Sequence, residues 1–183
     1  MRCIKTRGKK GVPHTDKDDP PRRRANSIKG HGTWENDRPP VVGVAGRDTH
    51  GLRLRVTRRN SRAAIQPVVV GLTRADCTVN TDEWVAYDLL PQTGRKRVSV
   101  KHGRPDSEYA RDDDGDGVRE VHCNTSEGIW TGLRNFLRPF RGVSKKYLDQ
   151  YVAIFEWSHN IKSVTQVFLS AMLSGVASTS LGT

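Results

Sequence analysis

The sequence predicts an α/β or α+β layer fold, and three observations predict it. Short apolar or alternating segments fall early, helical apolar periodicity falls late, and one helical segment lies between strands. The 183 residues suit one domain with a core of its own and leave no room for two.

Residues 1–39 have no apolar periodicity and contain Pro20-Pro21 and the first of Pro39-Pro40, so they read as a loop or extended arm. Order is expected from Val41-Val42-Gly43-Val44-Ala45-Gly46, an apolar run typical of a buried strand. Gly51 to Thr57 alternates apolar with basic residues, the period-two pattern of a half-exposed strand that presents Arg53 and Arg55 on one face. Asp48-Thr49-His50-Gly51 reads as the hairpin turn between them. Ser61 to Thr73 predicts a helix with Ser61 as N-cap, although Pro67 inside it should kink or break it. Cys77 to Thr81 predicts a third strand, Asp82 to Leu90 a short helix, and Arg97 to His102 a fourth strand. Residues 103–121 form an acidic, glycine-containing loop. Helices are then expected over Asn124–Arg138, stopped by Pro139, and over Ser144–Asn160, followed by a weaker apolar stretch from Val164 to Val176.

Charge is unevenly distributed. The formal net charge is +11, with residues 1–62 carrying 17 Lys and Arg against 6 Asp and Glu, while the remainder carries 14 of each. A neutral domain with a basic arm is an electrostatic footprint for a polyanion, nucleic acid first, and a solvated basic segment with no ligand is the plain alternative. Mean hydropathy of −0.66 is low. No apolar run approaches the ~20 residues of a membrane span, and the basic N-terminus is not followed by the apolar region of a secretory signal. Cys3, Cys77 and Cys123 are odd in number and form no CxxC pair, which fits a reducing cytosol. A soluble, cytoplasmic protein without a membrane partner is expected.

Two stretches carry the chemistry. Asn80-Thr81-Asp82-Glu83-Trp84 ends a strand, so the Asp82 carboxylate is expected at the carboxyl end of the sheet, where sites gather in open α/β folds. Thr81 or Asp82 serves equally as a helix N-cap. His122-Cys123-Asn124-Thr125-Ser126-Glu127-Gly128-Ile129-Trp130 opens a helix. At ~100° per residue, Asn124, Glu127, Thr131 and Arg134 share a polar face opposite Ile129, Leu133, Phe136 and Phe140. Asn124 and Glu127 also have the spacing of a capping box, which stabilises a helix without chemistry. Acidic groups brought from separate elements are how metal-dependent phosphoryl-transfer sites are usually assembled.

Other signals are weaker. Asp112-Asp113-Asp114-Gly115-Asp116-Gly117 opens like a calcium loop, but its twelfth position is Cys123 and no helical pattern precedes it, so an acidic surface loop is expected. His102 and His122 read first as structural. Arg138, Arg141, Lys145 and Lys146, interleaved with Phe140 and Tyr147, either track a phosphate backbone or line a solvated helix start. No phosphate-binding glycine loop, nucleophile elbow or His-Glu-x-x-His helix is present.

Together these residues resemble the DDE-type transposases of prokaryotic insertion sequences, most of all the ISXO2-like group. The resemblance rests on Thr81-Asp82-Glu83-Trp84…Tyr87…Leu90, His102, Glu108-Tyr109, His122 to Trp130 and Arg138 to Leu148, with Tyr151 and Asn160. It extends to Asp18 through Asn26 and Gly30-His31-Gly32-Thr33. The resemblance implies a ribonuclease-H-like mixed sheet with flanking helices, whose acidic residues bind two Mg²⁺ (or Mn²⁺) ions. It implies cleavage and strand transfer of insertion-sequence DNA ends, that is, DNA transposition and recombination, and leaves a homo-oligomer open.

Carried over by motif, Asp82 is the second aspartate and Asn124 or Glu127 the third position, with Asp82 and Glu127 as metal ligands. Arg134 stands where that family usually has Lys. Arg22, Arg23, Arg24, Arg138, Arg141, Lys145 and Lys146 are the expected DNA contacts. The family's first aspartate falls at about Met1-Arg2, where no carboxylate stands, so the expectation is a fold without its first strand and a partial or inactive transposase. The rival is a non-catalytic nucleic-acid-binding protein using the basic arm. The expected layout is an arm over 1–39, a catalytic domain over 40–175 and a tail over 176–183.

Overall fold

Val41 and Val42 are neighbours in sequence, so in a strand they face opposite ways, yet both are buried. They lie on the strand around which the molecule is layered. The computed structural model describes residues 2–3, 32–103, 107–161 and 166–177; Arg22, Arg23 and Arg24, at the middle of the expected arm, lie outside them. The strands are β1 (Arg2–Cys3), β2 (Pro40–Ala45), β3 (Leu52–Val56), β4 (Thr78–Asp82), β5 (Lys96–Val100), β6 (Ala110–Arg111) and β7 (Val121–His122). The helices are α1 (Arg62–Leu72), α2 (Asn124–Leu137), α3 (Leu148–Asn160) and α4 (Gln166–Ala177). The fold is mixed α/β, and no helix among the described residues is long and apolar enough to cross a membrane.

On one face of β2, Val41 joins Leu52 and Leu54 of β3 against Ile129, Leu133 and Leu137 of α2 and Val152 of α3. On the other, Val42 packs with Ile65 and Val69 of α1 and with Ala86 and Leu90. The hairpin is antiparallel, with Gly43 opposite Leu54 and Val41 opposite Val56. Arg53 and Arg55 are exposed on the outer face, as the alternation predicts. The far edge of β3 is covered by side chains of α3. The Leu52 N–H donates to Asn160 Oδ1 (2.7 Å), Asn160 Nδ2 donates back to the Leu52 carbonyl (2.8 Å), and the Leu54 N–H donates to Glu156 Oε2 (2.6 Å). These bonds satisfy backbone groups that an edge strand otherwise leaves open to a foreign strand.

Where the structure departs from the expected elements, local chemistry explains why. Pro67 removes one backbone donor, but α1 runs through it for 11 residues. Ala63 and Pro67 are both exposed, so the freed carbonyl meets water, while buried Ile65 and Val69 hold the helix to the sheet. The helix expected over Asp82–Leu90 is instead two short 3₁₀ turns, Val85–Tyr87 and Leu90–Thr93, because Asp82 stays in β4 and Trp84 is extended, so no α-helical turn starts there. α3 starts at Leu148 rather than Ser144. The residues before it turn so that Lys145 points inward, where it is 3% exposed. Its Nζ donates to the Trp34 carbonyl (3.0 Å), pairs with Asp37 Oδ1 (3.1 Å) and lies over the Trp34 ring. Lys145 is therefore corrected from a nucleic-acid contact to a buried structural cation. The same network shows residues 32–39 packed on the domain, ahead of the expected start of order.

The strands do not form one continuous sheet. β1, β2 and β3 make one antiparallel ladder, β4 and β5 a parallel one, and β6 and β7 a short antiparallel one framing the acidic loop. A first strand is present in short form, two residues long, pairing Arg2 with Val41 and Cys3 with Pro40. Among the described residues β2 and β4 share no ladder, and both line one cleft. Two buried cations brace this region. Besides Lys145, the Arg95 guanidinium closes the end of α1 through the carbonyls of Val70 (2.7 Å) and Thr73 and the Thr73 hydroxyl (2.6 Å). Carbonyls at a helix C-terminus offer the partial negative charge that such a cation needs.

A methyl group built on Gly43 would lie 2.8 Å from Leu54 Cδ2 and 3.0 Å from Trp130, so glycine is what lets α2 sit on β2. Gly43→Ala is expected to cost about 1–3 kcal/mol by overpacking, seen in thermal melts as a midpoint lowered by roughly 2–10 °C. Lys145→Met, which leaves the Asp37 carboxylate buried without its cation, is expected to cost about 3–5 kcal/mol in urea unfolding.

Candidate functional site

Asp82 ends β4, and parallel pairing sets it opposite Val100 at the end of β5. The two parallel strands thus deliver their following loops to the same side. The Trp84 N–H donates to Asp82 Oδ1 (3.2 Å), and the Thr81 hydroxyl donates to the Asp82 carbonyl (2.8 Å). Asp82 does cap the turn after β4, but with one oxygen only. The side chain is half-buried and lines the cleft.

Glu127 lies in the first turn of α2. The N-cap is Cys123 rather than Asn124, and it makes no side-chain capping bond. Glu127 is tied to the cap only by its backbone N–H, which donates to the Cys123 carbonyl (3.1 Å). The capping box that the spacing allowed is not formed, and the exposed Glu127 carboxylate is left facing the cleft.

An open cleft of about 1420 Å³ is lined by both Asp82 and Glu127. Consecutive residues of β2 and β4 line it, Val41 through Ala45 and Thr78 through Asp82, as expected where strand edges rather than faces meet a groove. His102, His122, Cys123, Glu83, Tyr87 and Trp130 complete the acidic end. Asn124 and Arg134 are not on its wall. Arg134 stands on the exposed side of α2, where its Nη2 donates to Thr131 Oγ1 (2.9 Å). Arg138 and Arg141 are exposed at the far end of α2 beside the exposed rings of Phe140 and Tyr147. Lys146 is exposed in the same turn.

The charges of Asp82 and Glu127 both act on the Cys123 thiol. Burial pushes the Cys123 thiol up, Asp82 pushes it further, Arg47 opposes and Glu127 adds to the rise. Burial, then the charges of Asp82 and Cys123, push the Tyr87 phenol up to about 12, so it stays neutral beside the carboxylate. Arg47 reaches from the β2–β3 hairpin to donate to the carbonyls of Glu120 and His122, fixing β7 and hence the start of α2. Burial and the Arg47 charge lower the pKa of His122. His102 stands edge-on to Tyr109 (5.4 Å), with its Nε2 buried and without a hydrogen bond. Sequence reading assigned Tyr87 no role, and Cys123 only that of an unpaired cysteine that spoils a calcium loop. The signal that could have marked them is proximity in sequence to both carboxylates.

The donor set can be tested against a hard divalent cation. Mg²⁺ typically takes one or two protein carboxylates and completes its shell with water and substrate phosphate oxygens. Asp82 and Glu127 are carboxylates of the kind such an ion takes, and both line the cleft. Glu83 also lines the cleft, with its Oε1 beside Gly103, where an added Cβ would lie 3.0 Å from it. Among the described residues, the one group of three close acidic or imidazole ligands is Asp112, Asp114 and Asp116, within 4.8 Å of one another on the exposed loop and off the cleft wall. There Asp112 is occupied in accepting from the N–H groups of Gly115 (2.6 Å) and Gly117 (2.8 Å).

The chain is thus an α/β domain with carboxylates from a strand end and a helix start on the wall of one open cleft. Residues 11–160 match the ISXO2-like transposase domain, and the chain belongs to that family. Over 149 residues it is 33% identical to an uncharacterized protein in transposable element ISH50 of Halobacterium salinarum; the match takes in 81% of this chain and 48% of that protein. The chain thus spans about half the length of the curated relative it matches. No solved structure matches it.

The convergence has a direct chemical readout. Asp82→Asn should lower the Cys123 pKa and speed its alkylation by iodoacetamide at pH 8 by roughly two- to tenfold, with Glu127→Gln having a smaller effect of the same sign. Peptide mass spectrometry reads this, with Cys77, also a free thiol, as the internal reference. An unchanged Cys123 rate in both variants would mean that neither carboxylate faces it.

Proposed function

We propose that this chain is the catalytic-domain part of an insertion-sequence transposase, acting on the DNA ends of its element with Mg²⁺ or Mn²⁺. The observation that carries this reading is the meeting of Asp82 and Glu127 on one cleft, in a chain of the ISXO2-like family. Asp82 and Glu127 are the ion's protein ligands. Glu127 is preferred to Asn124 because it lines the cleft and has no capping duty. A ribonuclease-H-like sheet is the architecture we infer, supported by a β2–β3 hairpin beside a parallel β4–β5 pair with helices against them.

Held by Asp82 and Glu127, such an ion would supply Lewis-acid polarisation of a phosphodiester oxygen. The chain's own residues supply the rest. Asp82, held by the Trp84 N–H, stays oriented toward the groove. Tyr87, kept neutral, offers a hydroxyl donor beside it. Arg138, Arg141 and Lys146 contact the DNA backbone, and Arg134 lies between them and the acidic end. Glu127 to Arg138 is eleven residues of helix, or about 16 Å at ~1.5 Å per residue, roughly five base steps of duplex. With DNA as its substrate, the protein works in the cytoplasm, which its free thiols Cys77 and Cys123 suit.

β1 carries Arg2 and Cys3, which bring no carboxylate to the cleft. We therefore read this chain by itself as binding ion and DNA without completing strand transfer. The test is Mn²⁺ binding, followed by electron paramagnetic resonance, alongside DNA binding at several salt concentrations. Asp82→Ala and Glu127→Ala should each weaken Mn²⁺ binding at least tenfold, while the double variant Arg138→Ala/Arg141→Ala should shallow the salt dependence by about two phosphate contacts. Mn²⁺ binding indifferent to Asp82, with DNA affinity intact, would replace this reading with that of a non-catalytic DNA binder.

A further inference from the structure

The segment that bears Asp82 is gripped from behind by one guanidinium. Arg97 rises from β5, and its side chain crosses the end of the neighbouring β4. Its Nε donates to Thr81 Oγ1 (3.0 Å), while its Nη2 donates to the carbonyls of Asp82 (3.1 Å) and Trp84 (3.4 Å). Its Nη1 donates to Asp88 Oδ1 (2.5 Å), and Arg97 is largely buried while Asp88 is half-exposed. The grip therefore touches the backbone on both sides of the turn in which the Trp84 N–H holds Asp82 Oδ1. One planar fork spans these acceptors; a lysine ammonium, with three donors on a flexible stem, does not.

The charge is arranged as deliberately as the geometry. An arginine this close to an aspartate ordinarily pairs with it and blocks the carboxylate. Here the Arg97 charge is taken by Asp88, and none of its hydrogen bonds goes to the Asp82 carboxylate. Asp82 is left open toward the cleft and turned by its backbone rather than by an ion pair.

Resting on the metal-site reading above, we propose that Arg97 is a positioning residue: clamped by Asp88, it sets the turn that aims the Asp82 carboxylate at the ion. Arg97 does not touch the ion or the substrate. Groups that orient a metal ligand without binding metal typically change affinity 10- to 100-fold when replaced.

Arg97→Lys is the decisive variant because it keeps the positive charge and removes only the fork. Two measurements are made on the whole chain. In Arg97→Lys, the Trp84 amide should exchange with deuterium faster, without any metal present, and Mn²⁺ affinity should fall about tenfold or more while the thermal midpoint changes little. Unchanged protection of the Trp84 amide overturns the inference. So does faster exchange with unchanged Mn²⁺ affinity in a protein whose Asp82→Ala variant binds Mn²⁺ weakly. If Arg97→Lys fails to fold, Asp88→Ala carries the test. It frees the guanidinium to swing onto Asp82, so Mn²⁺ binding should weaken, and an unchanged affinity overturns the clamp. If Asp82→Ala itself leaves Mn²⁺ binding unaltered, the metal-site reading is what fails, and this inference falls with it.

Discussion

Burial of both faces of β2 is the constraint on which the rest of the structure depends. A strand with Val41 in one core and Val42 in the other must be sandwiched, so α2 and α3 close one side while α1 and the turns after β4 close the other. The close contact of Trp130 with Gly43 then sets how near α2 can come. Because Glu127 is one turn from Trp130, the height of that carboxylate above the cleft is set by the absence of a side chain on β2. Core packing and site geometry are therefore a single problem at this point.

The two halves of the cleft are held by different means. Glu127 is positioned by helix packing and by Arg47, which locks the backbone just before α2. Asp82 is positioned by hydrogen bonds within its own turn and by Arg97 behind it. The result is a half-buried thiol and a neutral phenol that both feel the negative charge of Asp82, the thiol that of Glu127 as well.

Basic residues divide into two populations that composition does not separate. Lys145 and Arg95 are interior cations, one paired with Asp37 over an indole ring and the other capping α1 with carbonyls. Arg134, Arg138 and Arg141 remain outside on or beyond α2. Only the second population is available to a polyanion. A stretch such as Arg141 to Lys146 thus mixes surface and interior duties within six residues, because the chain turns between α2 and α3.

Much of this was legible beforehand. The β2–β3 hairpin, α1, α2 and the end of β4 follow from apolar periodicity and turn residues, since these signals are local and the side chains that produce them also do the packing. The polar face of α2 was read correctly, but choosing between Asn124 and Glu127 needed the cleft wall. The helix expected after Asp82 is replaced by tight turns whose carbonyls and Asp88 bond Arg97, a contact that no local pattern announces.

By itself, then, the sequence determined the element order, the two acidic stretches and the family, all carried by local pattern and motif. Only the tertiary structure decided that Lys145 is interior, that β2 and β4 face each other across an open groove, and that Asp82 and Glu127 share it. The physical reason is that burial and convergence depend on which distant surfaces exclude water from one another, and no local periodicity encodes that.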